Sequence, residues 1–255
     1  MKISVIQPDV VWENKMANFV NLEKLISSTD SKTDVIILPE MFNTGFSMNT
    51  GTLGESMGSI TYDWMINIAE TTNKGICGSY IIQEKDRFYN RWIFVSPDKK
   101  SWIYDKRHLF RMGNEENFFS PGNKRLIFTF RGVRISAIVC YDLRFPVWCR
   151  NRNEYDLLIN SANWPETRRD VWITLLKARA IENQCYVAGS NRIGIDKDGV
   201  KYCGDSIIID SGGGVIASAD QNKECSISIE ISMTDLSDFR KKFPVLTHAD
   251  DFNIN

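Results

Sequence analysis

Apolar positions in this chain fall into two patterns, and their alternation sets out the elements. Residues 2–7 read as a first strand. Residues 14–28 place Met16, Phe19, Val20, Leu22, Leu25 and Ile26 on one stripe, which predicts a helix. Residues 34–40 are a continuous apolar run ending in Pro39 and Glu40, the pattern of a strand buried on both faces with an acid at its carboxyl end. A loop rich in Gly, Ser, Thr, Asn and Met (43–58) precedes a helix at 59–73, for which Gly75 is the expected left-handed cap. Strands are predicted at 76–83, 88–95 and 102–104, with 96–100 as a turn and 113–122 as a polar loop. Residues 126–130 and 133–139 should pair across Arg131 and Gly132.

The run 133–139 leads straight into Cys140, and the following Tyr-Asp-Leu-Arg-Phe-Pro reads as a sharp turn into a short helix. Another buried strand is predicted at 156–161 and a long helix at 166–183. Strands at 185–193, 202–210, 215–219 and 224–231 follow, with a hairpin turn at 211–214, a helical tail at 234–243 and extended last residues. The segment 34–83 is echoed by 156–193, down to the likeness of Lys74-Gly75-Ile76-Cys77-Gly78-Ser79 to Gln184-Cys185-Tyr186-Val187-Ala188-Gly189-Ser190. Two such halves should pack sheet on sheet with helices outside. The expected fold is an α/β four-layer α-β-β-α sandwich, in one domain spanning 1–255.

Composition narrows the function. A formal net charge of −1 removes nucleic acid as a default partner. No apolar run approaches the roughly 18–20 residues of a membrane span, and the first residues lack a signal peptide's pattern, so a cytoplasmic protein is expected. The six cysteines (77, 140, 149, 185, 203, 225) form no CxxC pair, and His108 and His248 lack a second ligand at metal-binding spacing. Neither a disulfide framework nor a metal or other cofactor is expected.

Three reactive groups stand at strand ends. Glu40 follows 36–38, Lys106 follows 102–104, and Cys140 follows 133–139. Ligands collect at the carboxyl ends of strands in α/β sheets, so neighbouring strands would bring acid, amine and thiol into one pocket. Singly, Glu40 reads as a turn cap, Lys106 as a surface charge and Cys140 as a buried structural thiol. Together they permit acyl transfer through a thioester. The ammonium and the backbone N–H groups of the turn favour a thiolate. A carboxylate can take the thiol proton, pass it to a leaving amine and later activate water. The ammonium and the Tyr141 N–H would stabilise the oxyanion.

Leu38-Pro39-Glu40-Met41-Phe42, Tyr104-Asp105-Lys106-Arg107-His108-Leu109-Phe110 and Ile138-Val139-Cys140-Tyr141-Asp142-Leu143-Arg144-Phe145-Pro146 strongly resemble the nitrilase superfamily of carbon–nitrogen hydrolases. The resemblance runs from residue 2 to beyond 245. Asn163-Trp164-Pro165 and Lys177-Ala178-Arg179-Ala180-Ile181-Glu182-Asn183 look most like bacterial omega-amidases, which act on the terminal amide of 2-oxo acids such as 2-oxoglutaramate. The resemblance implies Glu40 as general base, Lys106 as oxyanion stabiliser, Cys140 as nucleophile and a homodimer. It also implies a second glutamate beyond the lysine. Glu115 and Glu116 both match, and Glu115 is preferred.

A 2-oxo dicarboxylic monoamide presents a carboxylate, which calls for a cation in the pocket. Arg144, Arg111 and Arg107 are the candidates, with Arg144 alternatively pinning the turn through Asp142. Phe42, Phe46 and Trp164 are candidate apolar walls, and Asn163 a further substrate-binding candidate. The leading expectation is an amidase that releases ammonia from a small linear amide. A nitrilase would use the same trio on a nitrile, and a thiol redox sensor using Cys140 would release no ammonia at all.

Overall fold

The structure, a computed structural model, describes residues 1–250. Its first half contains β1 (Lys2–Gln7), α1 (Lys15–Ser27), β2 (Val35–Ile37), α2 (Thr50–Leu53), α3 (Ile60–Thr72), β3 (Gly75–Glu84), β4 (Arg87–Val95) and β5 (Ser101–Asp105). The second half runs through β6 (Ile127–Phe130), β7 (Val133–Val139), α4 (Pro146–Cys149), β8 (Leu157–Ser161), α5 (Arg169–Asn183) and β9 (Tyr186–Ser190). Then come β10 (Ile193–Ile195), β11 (Lys201–Cys203), β12 (Ile207–Ile209), β13 (Val215–Ser218), β14 (Cys225–Glu230) and α6 (Met233–Lys242).

Two six-stranded sheets result, ordered β14-β1-β2-β3-β4-β5 and β6-β7-β8-β9-β12-β13. Read in those orders, both pair antiparallel, parallel, parallel, antiparallel, antiparallel. The internal echo of the sequence is therefore a repeated topology, with β2 corresponding to β8 and β3 to β9. The counterpart of β6 in the first sheet is β14, which returns from the far end of the chain to pair with β1.

Period-two alternation separates the layers. Ile3, Val5, Val35 and Ile37 face the other sheet and join a core with Trp92, Phe94, Ile135 and Ile159. Ile6, Ile36 and Leu38 face outward, under Phe19 and Leu22 of α1 and Trp64 and Met65 of α3. Helix α5 covers the second sheet with Trp172 and Leu176, completing the four layers. The two repeats place a glycine at matching points. A Cβ on Gly78 would lie 2.7 Å from Phe42 Cδ1, and one on Gly189 would lie 2.7 Å from Leu176 Cδ1 and 2.8 Å from Trp172 Cζ2.

Several boundaries differ from the sequence reading. Asn73, not Gly75, takes the left-handed position after α3 (φ 55°); asparagine tolerates that conformation. Gly75 already pairs in β3, where a side chain would collide with Phe94, its ideal Cβ lying 2.4 Å from Cζ. The loop 43–58 contains α2. The predicted strands 185–193 and 202–210 each break in two. At the first break the Asn191 amide replaces ladder partners, donating to Trp164 O (3.0 Å) and Gly204 O (2.7 Å). The chain beyond it forms a separate β10–β11 ribbon. After α6, Val245–His248 is a 3₁₀ turn rather than extended chain, and the expectation for 251–255 lies outside the described residues. Among the described residues no helix is long and apolar enough to cross a membrane.

Gly189→Ala should destabilise the protein by about 1–3 kcal/mol, because a methyl there overpacks a rigid indole. Urea denaturation checks this. An unchanged midpoint would mean that α5 lies farther from β9 than described.

Candidate active site

The three strand ends meet across the sandwich rather than along one sheet. β2 and β5 belong to the first sheet, separated by β3 and β4, whereas β7 belongs to the second. What joins them is a set of polar bridges between layers. Ser161 at the end of β8 donates to Leu38 O (2.7 Å), while Trp92 Nε1 donates to Ser161 Oγ (3.1 Å). Two residues on, Asn163 donates its backbone N–H to Glu40 Oε2 (2.9 Å) and its side-chain amide to Glu40 O (2.7 Å).

Cys140 leaves β7 with φ 45°, a left-handed conformation that costs a non-glycine residue about 1–2 kcal/mol. Two side chains hold the turn in that shape. Asn160 of β8 accepts the Cys140 N–H (2.8 Å), and Asp142 accepts the Val139 N–H (3.0 Å). Asp142 is in turn gripped by Tyr104 Oη (2.7 Å) and by the backbone N–H (2.8 Å) and Nδ1 (2.7 Å) of His108. The residues around Lys106 and the residues around Cys140 are thus fastened to each other. Tyr141 sits in the first turn of the 3₁₀ helix Cys140–Arg144, where backbone N–H groups have no partner within the helix.

Lys106, Glu40 and Glu115 are all fully buried. The ammonium donates to Glu40 Oε1 (2.8 Å) and to both oxygens of Glu115 (3.1 and 2.9 Å). Glu115 opens the 3₁₀ turn Glu115–Asn117 after left-handed Asn114, and it also accepts the Phe110 N–H (2.6 Å). Its neighbour Glu116 is exposed. Asn90, midway along β4, donates through Nδ2 to Glu40 Oε1 (2.8 Å) and Glu115 Oε1 (3.1 Å), and its carbonyl receives the Lys106 N–H (3.0 Å).

Burial alone would drive the Lys106 ammonium toward its neutral form, but Glu115 and Glu40 outweigh it and hold the amine above its ordinary range. Glu115 is raised, first by burial and then by the charge of Glu40, against the pull of Lys106. The thiol of Cys140 is pushed well up, by burial first and by Glu40 next, and Lys106 only partly offsets them. Lys106 thus favours the thiolate, as the sequence reading expects, while burial and Glu40 oppose it. The Cys140 sulfur lies 3.8 Å from Asn163 O, the carbonyl of the residue whose N–H bonds Glu40 Oε2.

Cys140 and Lys106 form the floor of a cleft of about 500 Å³. Asn163, Trp164, Tyr141 and Arg144 line it, as does Phe46, whose ring centroid is 5.3 Å from Lys106 Nζ. Arg144 lies over the Trp164 ring and does not pair with Asp142, whose oxygens are taken up by Tyr104 and His108. Phe42 is not a wall of this cleft. It is core, packed on Trp64 and Tyr80 above Gly78, because its position after β2 faces α3. Arg107 is turned away onto Trp148 and Gly122 O, and Arg111 is exposed outside the cleft. Sequence reasoning missed Asn90, Asn160 and Arg168. Asn160 carried a signal, an amide inside the apolar run of β8, whereas Asn90 stands beside Arg91 and carried little. Arg168, on the cleft wall over the Phe110 ring, had none.

The carbon-nitrogen hydrolase family model matches residues 2–241. Omega-amidase YafV of Escherichia coli K12 is 43% identical over 254 residues, covering 100% of this chain and 98% of the relative. The 2-oxoglutaramate amidase of Bacillus subtilis is 34% identical, covering 95% of each chain. A crystal structure from Xanthomonas campestris, described as a CN-hydrolase superfamily protein with an arsenic adduct in the active site, superposes with a TM-score of 0.97. It shares 37% identity and covers 100% of this chain and 99% of its own.

The charge balance around Cys140 predicts its alkylation. Reaction with iodoacetamide, followed at Cys140 by peptide mass spectrometry, should still be accelerating above the ordinary thiol range of about 8.5. Glu40→Gln removes the nearby negative charge and should move the inflection to lower pH, while Lys106→Met should move it higher. An inflection below about 8.5 in the unaltered protein would contradict the described burial of the thiol.

Proposed function

The chain belongs to the carbon–nitrogen hydrolase family, and on that premise we propose that it hydrolyses the terminal amide of a small 2-oxo dicarboxylic acid, of the 2-oxoglutaramate or 2-oxosuccinamate type, to the acid and ammonia. The observation that carries this reading is the meeting of Cys140 and Lys106 in one cleft, with the ammonium bonded to the buried carboxylates of Glu40 and Glu115. The two amidases described above supply the substrate class.

In this reaction Glu40 takes the proton of the Cys140 thiol as sulfur attacks the amide carbon. The oxyanion that forms faces Lys106 Nζ and the Tyr141 N–H. Glu40 then returns the proton to the leaving nitrogen, the C–N bond breaks, and ammonia departs from a thioester. Water enters, gives a proton to Glu40 and attacks the same carbon; the acid is released and the proton goes back to sulfur. The proton that Glu40 takes from sulfur is the one that the leaving nitrogen needs. Glu115 keeps Lys106 charged and aimed. No step needs a metal or a redox cofactor.

Arg144 is the proposed partner of the substrate carboxylate, with Trp164 and Asn163 beside it. Its guanidinium lies on the cleft wall, and among the described residues no carboxylate is paired with it. The same reading takes the protein as a single-domain cytoplasmic protein and, as the family resemblance implies, a homodimer. A light-scattering mass near that of one chain at micromolar concentration would contradict the dimer.

If Glu40 serves both half-reactions, Glu40→Gln should let an activated ester acylate Cys140, since a good leaving group needs little protonation. The thioester should then persist and appear as a mass increase in the intact protein. It should be absent in the Glu40→Gln, Cys140→Ala double variant. Steady turnover of the ester at the unaltered rate without an adduct would remove Glu40 from deacylation.

A further inference from the structure

Asn90 stands among the charged groups of the site without being one of them. Its side chain is fully buried on β4, between Tyr89 and Arg91. The amide nitrogen reaches one oxygen of each carboxylate, Glu40 Oε1 at 2.8 Å and Glu115 Oε1 at 3.1 Å, while Oδ1 is buried with no hydrogen-bond partner. Turning the amide over would place that oxygen against two carboxylates. The neighbours therefore fix the orientation, and the orphaned oxygen is its cost.

We propose that Asn90 is a positioning residue, whose amide bridges the two buried carboxylates and fixes which oxygen of Glu40 is turned toward the thiol. With Oε1 held by Asn90 and Lys106, Oε2 accepts the backbone N–H (2.9 Å) and side-chain amide (3.4 Å) of Asn163, whose carbonyl lies 3.8 Å from the Cys140 sulfur. The amide also answers a charge problem. One ammonium between two carboxylates leaves an excess negative charge in a buried space, which favours protonation of one acid. A second cation there would bind Glu40 too well and weaken it as a base. A neutral pair of N–H donors supports both ionised carboxylates without that effect. Through its carbonyl the same residue fixes the backbone of Lys106.

The groups whose titration bears on this are Glu40, Glu115, Lys106 and Cys140. On the same strand, Arg91 is engaged instead by Asp105 and Glu84. The role rests on Glu40 being the base, and the test separates the two claims. Asn90→Leu should move the acid limb of kcat/KM for amide hydrolysis upward by about one pH unit or more, the size expected for losing a charged hydrogen bond. KM should stay within about threefold, since the residue lies away from the cleft. Asn90→Ser, smaller and able to serve only one carboxylate, should shift the limb less, in the same direction. A parallel infrared pH titration in the Cys140→Ala background reads carboxyl protonation with no need for turnover. There the protonated-carboxyl band should persist to higher pH in both Asn90 variants.

Unmoved infrared midpoints in folded Asn90→Leu or Asn90→Ser protein would overturn the proposal, as would a rate lowered equally at every pH. If the unaltered enzyme releases no ammonia from any amide, the functional reading fails instead, and the infrared titration still decides the role of Asn90.

Discussion

Everything in the site is arranged around one ammonium shared by two buried carboxylates. Lys106 is fully buried, and an unpaired charge there would be severely destabilising; removing one partner of a buried pair typically costs about 3–5 kcal/mol. Glu40 and Glu115 keep the amine charged, and the amine keeps them from repelling one another. The mutual dependence explains why Glu115 is needed in a site whose proposed chemistry uses Glu40 alone. One carboxylate would satisfy the charge, but its basicity would be consumed in doing so. With two, Lys106 makes only one of its three carboxylate contacts to Glu40, whose Oε2 stays clear of the ammonium and accepts the Asn163 N–H.

A repeated half-sandwich provides the frame. Each sheet contributes parallel central strands whose carboxyl ends are free of tight hairpins, and packing the sheets face to face brings β2, β5 and β7 to a common place. The core between the sheets is apolar, yet bridges such as Ser161 to Leu38 and Asn163 to Glu40 cross it near the cleft. These fix the relative register of the layers where it matters, since apolar packing alone tolerates small shifts. The braced turn at Cys140 is the local counterpart. Asn160 and Asp142 occupy two backbone N–H groups of the turn, while Tyr141 remains available to a ligand.

Much of this was legible in the sequence because it depends on short-range pattern. Buried parallel strands announce themselves as continuous apolar runs, and the reactive residues that end them stand out by contrast. Glu40 and Cys140 were picked out in that way, and Lys106 by its place after β5, an edge strand paired antiparallel. The breaks after Ser190 and Cys203 were not, because the polar residues that mark them, Asn191-Arg192 and Gly204-Asp205-Ser206, are short interruptions with apolar residues resuming directly beyond. A single amide, Asn191, redirects the chain by bonding to residues distant in sequence. Phe42 misled for a related reason: it follows Glu40 closely, but the direction in which a side chain leaves a turn is set by packing against α3. Glu115 and Glu116 could not be separated by the motif alone, and the left-handed Asn114 before them decides which one turns inward. The upward pull on the thiol was also hidden, because burial and the nearness of Glu40 arise only in the folded chain, whereas the lysine that opposes them shows in the sequence.

The central claim is that one acyl-thioester on Cys140 lies on the path of every substrate. Partitioning tests it most directly. The monoamide and the monomethyl ester of glutaric acid, which lack a ketone that hydroxylamine would attack, would each be turned over with a fixed concentration of hydroxylamine. Initial rates of hydroxamate and free acid would be measured for both. A shared thioester predicts the same hydroxamate-to-acid ratio from amide and ester, however different their overall rates. A ratio that depends on the leaving group, or acid formed with no hydroxamate from either, would contradict the account.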